Sequence, residues 1–145
     1  MTVSQISVFI ENKPGGMAAF AHVLREHGID LRALSVAEGG DYGIVRIIVD
    51  DVYKASTVLK DADYIFKITP VLAVPLRDVS GGLAGVLEVL GNNNINIEYL
   101  YAFVARKRDT AYVIFRVTEV ERAVQVLRDN KYTPVSQDDL KRDQA

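Results

Sequence analysis

The chain has 145 residues, 49% hydrophobic and 25% charged, with a formal net charge of -2 and no cysteine. That composition belongs to a soluble globular protein; it leaves no basic footprint for nucleic acid and excludes disulfides, thiol nucleophiles and zinc-thiolate sites. The N-terminus, Met1-Thr2-Val3-Ser4-Gln5, has no basic region ahead of an apolar core, and no apolar run approaches membrane-spanning length, so a cytoplasmic protein without a membrane partner is expected.

Residues 6–10 are short and rich in β-branched and aromatic side chains, which favours a strand. The polar turn Asn12-Lys13-Pro14-Gly15-Gly16-Met17 follows. Met17, Phe20, Ala21 and Leu24 then recur at helical spacing, with Gly28 as a stop. Leu31 to Ala37 and Tyr42 to Val49 flank Glu38-Gly39-Gly40-Asp41 as a hairpin. A second helix is predicted from Asp51, with Val52, Ala55, Val58 and Leu59 on one face, and Tyr64 to Ile68 reads as a fourth strand.

The chain then repeats itself. At a shift of 66, Val8, Gly15, Gly16, Ala18, Val23, Leu24, Ile29 and Leu34 meet identical residues. At a shift of 68, Val45, Val49, Val52, Ala55, Val58, Leu59, Asp61 and Tyr64 do the same. The two-residue change of register falls between Leu34 and Val45, where Glu38-Gly39-Gly40-Asp41 and Arg106-Lys107-Arg108-Asp109 read as hairpin turns, and turns tolerate insertions. Two βαββαβ halves are therefore predicted, 1–70 and 71–136, each an antiparallel sheet with helices on one face, in the α+β class with ferredoxin-like order. Halves this small bury a marginal core and are expected to lean on each other or on another chain.

Pro70 and Pro75 bracket a short strand, Val71 to Val74, and Pro75 implies an edge or a bulge. Thr118 and Glu121 have capping-box spacing, Asn130 is placed to end the fourth helix in the left-handed conformation, and the polar tail 137–145 lacks a core face and is expected to fray. In the second half Tyr112, Ile114 and Arg116 alternate with Val113, Phe115 and Val117, and both sets are mostly apolar. A sheet bare to water alternates more cleanly, so the second face is expected to be covered by another sheet or subunit.

Each strand-to-helix turn carries two glycines, the second as Asp78-Val79-Ser80-Gly81-Gly82-Leu83. The first N–H groups of a helix lack intrahelical acceptors, and a glycine there lets a carboxylate or phosphate approach them. The glycines serve such a ligand, or only permit the turn. The side-chain oxygens of Asn12 and Asp78 serve a ligand ammonium, or an Asx-turn or helix cap. His22 and His27, five residues apart, do not form a helical metal pair, and no nucleophile, histidine and acid fall into a catalytic spacing.

The run Asn12-Lys13-Pro14-Gly15-Gly16-Met17, leading through Leu24 to Gly28-Ile29-Asp30-Leu31, resembles the ACT domain, with its Asn-x-Pro-Gly turn and Gly-Ile-Asn-Ile-like entry to the second strand. The second half resembles a diverged ACT domain: Asp78 stands for Asn12, Ser80 for Pro14, and Asn94-Ile95-Asn96-Ile97 matches Gly28 to Leu31. The resemblance implies a non-catalytic regulatory protein that binds an amino acid or similar carboxylate, with no metal or cofactor. It also implies side-by-side pairing, a homo-oligomer such as a dimer, and a separate metabolic enzyme as partner. Carried over by position, it implicates Asn12, Pro14, Gly15, Gly16 and Met17 in one half and Asp78, Ser80, Gly81, Gly82 and Leu83 in the other. Ser80 in place of Pro14 loosens the second turn, so unequal sites are expected. The competing readings are an interaction module that has lost its ligand and, further off, an acylphosphatase, for which Arg77 is the only arginine near either turn.

Overall fold

The computed structural model describes residues 1–77, 80–104 and 110–142, so Asp78, the basic hairpin tip at 106–109 and the end of the tail lie outside the described residues. The chain divides into two compact units, Ser4–Thr69 and Pro70–Ala145 together with Met1–Val3. The elements are β1 (Val3–Glu11), α1 (Gly16–Glu26), β2 (Leu31–Gly39), β3 (Tyr42–Val49), α2 (Val52–Asp61), β4 (Ile65–Arg77), α3 (Gly82–Asn92), β5 (Ile97–Val104), β6 (Thr110–Val117), α4 (Val120–Asp129) and α5 (Gln137–Arg142). The β1–β3, β2–β3, β4–β6 and β5–β6 ladders are antiparallel.

In the first unit β3 lies between β1 and β2, with Val8 opposite Val45 and Val36 opposite Val45 in turn. The alternation of β1 and β3 sends Ile6, Val8, Ile10, Val45, Ile47 and Val49 into one cluster with Phe20 and Leu24 of α1 and Ala55 and Leu59 of α2. Phe20 meets Tyr64 edge-on, ring centroids 5.5 Å apart. Burying each of the larger of these side chains contributes about 1.5–3 kcal/mol, which fixes both helices on one face of the sheet. The opposite face, marked by the ladder partners Phe9 and Ile44, leaves Phe9 exposed.

The second unit repeats the plan. Leu72, Val74, Leu76, Val113, Phe115 and Val117 pack with Val86 and Leu90 of α3 and Ala123 and Leu127 of α4. On the face away from the helices Val71, Ala73, Tyr112 and Ile114 are also buried, and Phe103 stacks on its ladder partner Tyr112 at 5.2 Å.

Both units carry a register shift at the same place. It falls between Leu31 and Ala33 in β2 and between Ile97 and Tyr99 in β5, so Arg32 and Glu98 occupy equivalent bulges. Arg32 Nε donates to Asp50 Oδ1, whereas Glu98 faces Arg116 at 3.4 Å and accepts from Thr118 Oγ1 at 3.5 Å. One position in the duplicated plan thus carries opposite charges.

The four main helices end alike. The residue in the left-handed conformation is Gly28, Asp63, Asn94 or Lys131, and the next amide reaches back to a leucine carbonyl: Ile29 to Leu24, Tyr64 to Leu59, Ile95 to Leu90 and Tyr132 to Leu127. This is the Schellman arrangement, with its apolar contact between the leucine and the residue after the turn.

Several sequence expectations change. The strands predicted either side of Pro70 are one strand of 13 residues, and the ladder to β6 passes Pro75 without a register shift. The last strand of the second half is only a bridge between Val135 and Ala73, because Pro134 just before it offers no N–H to a ladder. Asn130 has φ -104°, and the left-handed residue is Lys131. Thr118 does not cap α4: the residue at the cap is Glu119, and Thr118 turns to Glu98. Nor does the tail stay frayed through its length. Ser136 N–H donates to Asp139 Oδ2 and Asp139 N–H to Ser136 Oγ, a reciprocal cap that starts α5, and Leu140, a lone apolar residue in a polar stretch, is buried.

Candidate ligand-binding site

The turn between β1 and α1 is built by its own backbone. Lys13 N–H donates to Glu11 O, Gly16 N–H to Lys13 O, and Ala19 N–H to Gly15 O. Gly15 has φ +83°, where a side chain is strained. At Gly16 a Cβ would stand 2.9 Å from the Glu11 carbonyl oxygen, so the second glycine is required by close approach. No side chain caps α1. Among the described residues, the amides of Met17 and Ala18 are left without a main-chain acceptor at the positive end of the helix.

Beside this turn lies a hollow of about 380 Å³ lined by Phe9, Ile10, Glu11, Lys13, Gly16, Ala19, Tyr42, Asp63, Tyr64 and Ile65. Every lining residue belongs to the first unit. Phe9, Tyr42 and Ile65 are among the exposed large hydrophobic residues, 42%, 55% and 72% accessible, so the apolar wall of the hollow is open to solvent. Its charges are Lys13, paired with Glu11 at 3.1 Å on the surface, and Asp63.

The five residues that the sequence singles out in this turn have different places. Gly16 lines the hollow, and Gly15 shapes the turn. Pro14 is exposed and does not line it. Met17 packs against the core. Asn12 neither caps α1 nor faces the hollow: its Nδ2 donates to Gly40 O at 2.9 Å and its N–H to Asp41 O, tying the turn to the hairpin between β2 and β3. Of the lining residues sequence reasoning names only Gly16; it misses the neighbours of the turn and, furthest off in the chain, Tyr42, Asp63, Tyr64 and Ile65. Their signal is topological: in a βαββαβ unit the start of the fourth strand lies beside the end of the first, which brings Tyr64 and Ile65 to Phe9 and Ile10.

The second turn keeps the backbone design. Gly81 has φ +85°, no side chain caps α3, and Gly85 N–H donates to Gly81 O. Ser80 and Leu83 are exposed and Gly82 is half-buried. The surroundings differ, because Tyr132 puts its hydroxyl where a Cβ at Gly85 would be 2.9 Å away; the first unit has Ala19 at that position. His22 pairs with Glu26 on the surface of α1, and His27 Nδ1 sits 2.9 Å from Val23 O. Among the described residues no group of three histidine or carboxylate side chains is placed to hold a metal.

Residues 1–143 match the family model of the ACT domain pair. The chain belongs to this family. The crystal structure of protein BT0572 from Bacteroides thetaiotaomicron superposes on this ACT pair with a TM-score of 0.90, at 36% identity over 97% of this chain and 96% of that one. The regulatory subunit of aspartate kinase from Thermus thermophilus, in its ligand-free form, has a TM-score of 0.63 at 17% identity, covering 87% of this chain and 91% of that one. The corresponding subunit from Thermus flavus has a TM-score of 0.58, also at 17% identity, covering 86% and 88%. No curated protein matches the chain. The two kinase subunits speak for a shared fold, and the family match for two ACT-type units in tandem.

Proposed function

We propose that this ACT pair is a non-catalytic sensor of a small α-amino acid or similar carboxylate, and that it regulates an enzyme carried by another chain. The observation that carries this reading is the hollow against Gly16, with the unaccepted amides of Met17 and Ala18 at the same turn. An exposed helix start favours a carboxylate, and Glu11 and Asp63 offer oxygens to an ammonium. The structural likeness to two enzyme regulatory subunits supports the regulatory half of the proposal. The second turn is proposed as a weaker site, built on Ser80, Gly81, Gly82 and Leu83 with Asp78, since serine replaces the proline that stiffens the first turn.

Effector binding would act by favouring one conformation or assembly state over another, through its differential affinity for the two. We also propose that the ACT pair works as a cytoplasmic homo-oligomer. The test is a thermal-shift panel of the protein-forming amino acids: a ligand that binds only the folded state raises the midpoint as its concentration passes its dissociation constant. Flat responses at millimolar concentrations would instead favour a protein-interaction module without a ligand.

A further inference from the structure

Resting on the reading of the Gly16 hollow as an effector site, we infer that it selects an α-amino acid with an aromatic side chain. Three aromatic residues, Phe9, Tyr42 and Tyr64, line a space large enough for a ring and its backbone, with Ile65 beside them and the Tyr64 ring packed edge-on against Phe20. Phe9, Tyr42 and Ile65 are among the large apolar side chains left in water, and the fold gathers these three around one hollow. A cluster of that kind marks a surface with a partner, and a concave one of this size fits a small molecule. Ring against ring adds edge or offset attraction beyond burial, which favours an aromatic ligand over an aliphatic one of equal area.

The fold does not require these residues. In the duplicated half Pro75 and Thr110 stand on the strands where Phe9 and Tyr42 stand here, and Thr133, where the fourth strand is missing, stands for Ile65. Tyr132 does remain where Tyr64 is, but it leans over Gly85. Phe9 and Tyr42 are therefore particular to the first unit and are not demanded by the strands that carry them.

The polar rim suits a zwitterion. Lys13 and Glu11 pair at 3.1 Å with most of each side chain in water, an arrangement that holds its partners weakly. A bound amino acid exchanges that pair for two others: its carboxylate meets Lys13 and the free amides of the helix start, and its ammonium meets Glu11 or Asp63. A ring lacking either charge, such as 3-phenylpropionate or phenethylamine, forfeits half of this.

The experiment titrates the full chain with phenylalanine, alanine, serine, aspartate and lysine, each to about 10 mM, and with tyrosine to its solubility limit, by calorimetry and thermal shift. The double variant Tyr42→Thr/Ile65→Thr carries the second half's residues at two exposed positions, and Tyr53→Thr, on the exposed face of α2, is the control. The expected result is binding of phenylalanine or tyrosine at least tenfold tighter than of the small and charged amino acids, weakened about tenfold or more by the double variant and unchanged in the control. Tighter binding of small or charged amino acids overturns the aromatic preference and leaves the effector site standing. Aromatic binding that the double variant does not weaken overturns the location. No binding by any amino acid overturns both the preference and the site, and the panel decides this whether or not the variant folds.

Discussion

Arg32 Nε lies 2.6 Å from Asp50 Oδ1, and the two side chains are only 12% and 20% exposed. The bulge in β2 is what turns Arg32 toward the end of β3, and the bond fastens this edge strand just before α2 begins. Arg32 Nη2 is buried with no hydrogen-bond partner among the described residues, so the guanidinium depends on Asp50. Asp50→Ala is expected to cost about 2–3 kcal/mol in urea unfolding, because it leaves a largely desolvated cation unpaired. The double variant Arg32→Met/Asp50→Leu should recover most of that loss. A double variant as unstable as the single one would show that the bulge, and not the charge pair, sets the cost.

Gly15 and Gly16 are expected to fail differently. Gly15→Ala strains a left-handed residue by about 1–2 kcal/mol with open space around it. Gly16→Ala pushes a methyl against the Glu11 carbonyl, and moving the turn away costs about 1–3 kcal/mol. Ligand-induced thermal shift should disappear in Gly16→Ala, whose methyl displaces the Glu11 carbonyl beside the hollow, and persist at reduced size in Gly15→Ala.

Lys131 is the poorest of the four helix-ending residues, with φ +65° and a full side chain. Lys131→Gly is expected to raise stability by about 0.5–1 kcal/mol in urea or thermal unfolding, since the left-handed penalty vanishes while the Tyr132-to-Leu127 bond stays. Gly28→Lys, at the equivalent position, should lose a similar amount.

The Ser136 amide and hydroxyl bonds to Asp139 hold its carboxyl below the ordinary value of 3.8. A carboxylate whose folded pKa is depressed contributes stability above its unfolded pKa and loses it as pH falls through the folded value. The protection factor of the Leu140 amide, which bonds Ser136 O, should therefore fall below about pH 4, once the intrinsic slowing of exchange in acid is divided out. Asp139→Asn should exchange faster at neutral pH and lose that acid-dependent step. An unchanged profile would mean that Leu140 packing alone holds α5.

What the sequence made legible was periodic. The repeat and the glycine turns followed from side-chain spacing, which the backbone obeys locally. The wall of the hollow was not legible, because Tyr42, Asp63 and Tyr64 come from two other connections and only strand order brings them to Phe9. The bond that Asn12 makes was illegible for a related reason: its Nδ2 donates to a carbonyl 28 residues away. Capping signals failed where tertiary partners competed, as Glu98 does for Thr118, and succeeded unnoticed at Ser136 and Asp139, three residues apart in the chain.

The opposite charges at Arg32 and Glu98 bear on how a duplicated chain reaches its proper pairing. Two near-copies of a hairpin joined in one polypeptide invite exchange, with the second strand of one copy zipping onto the third strand of the other. Here such a swap would set Arg32 against Arg116 or Glu98 against Asp50, like facing like, so each copy repels its sibling's strand and accepts its own.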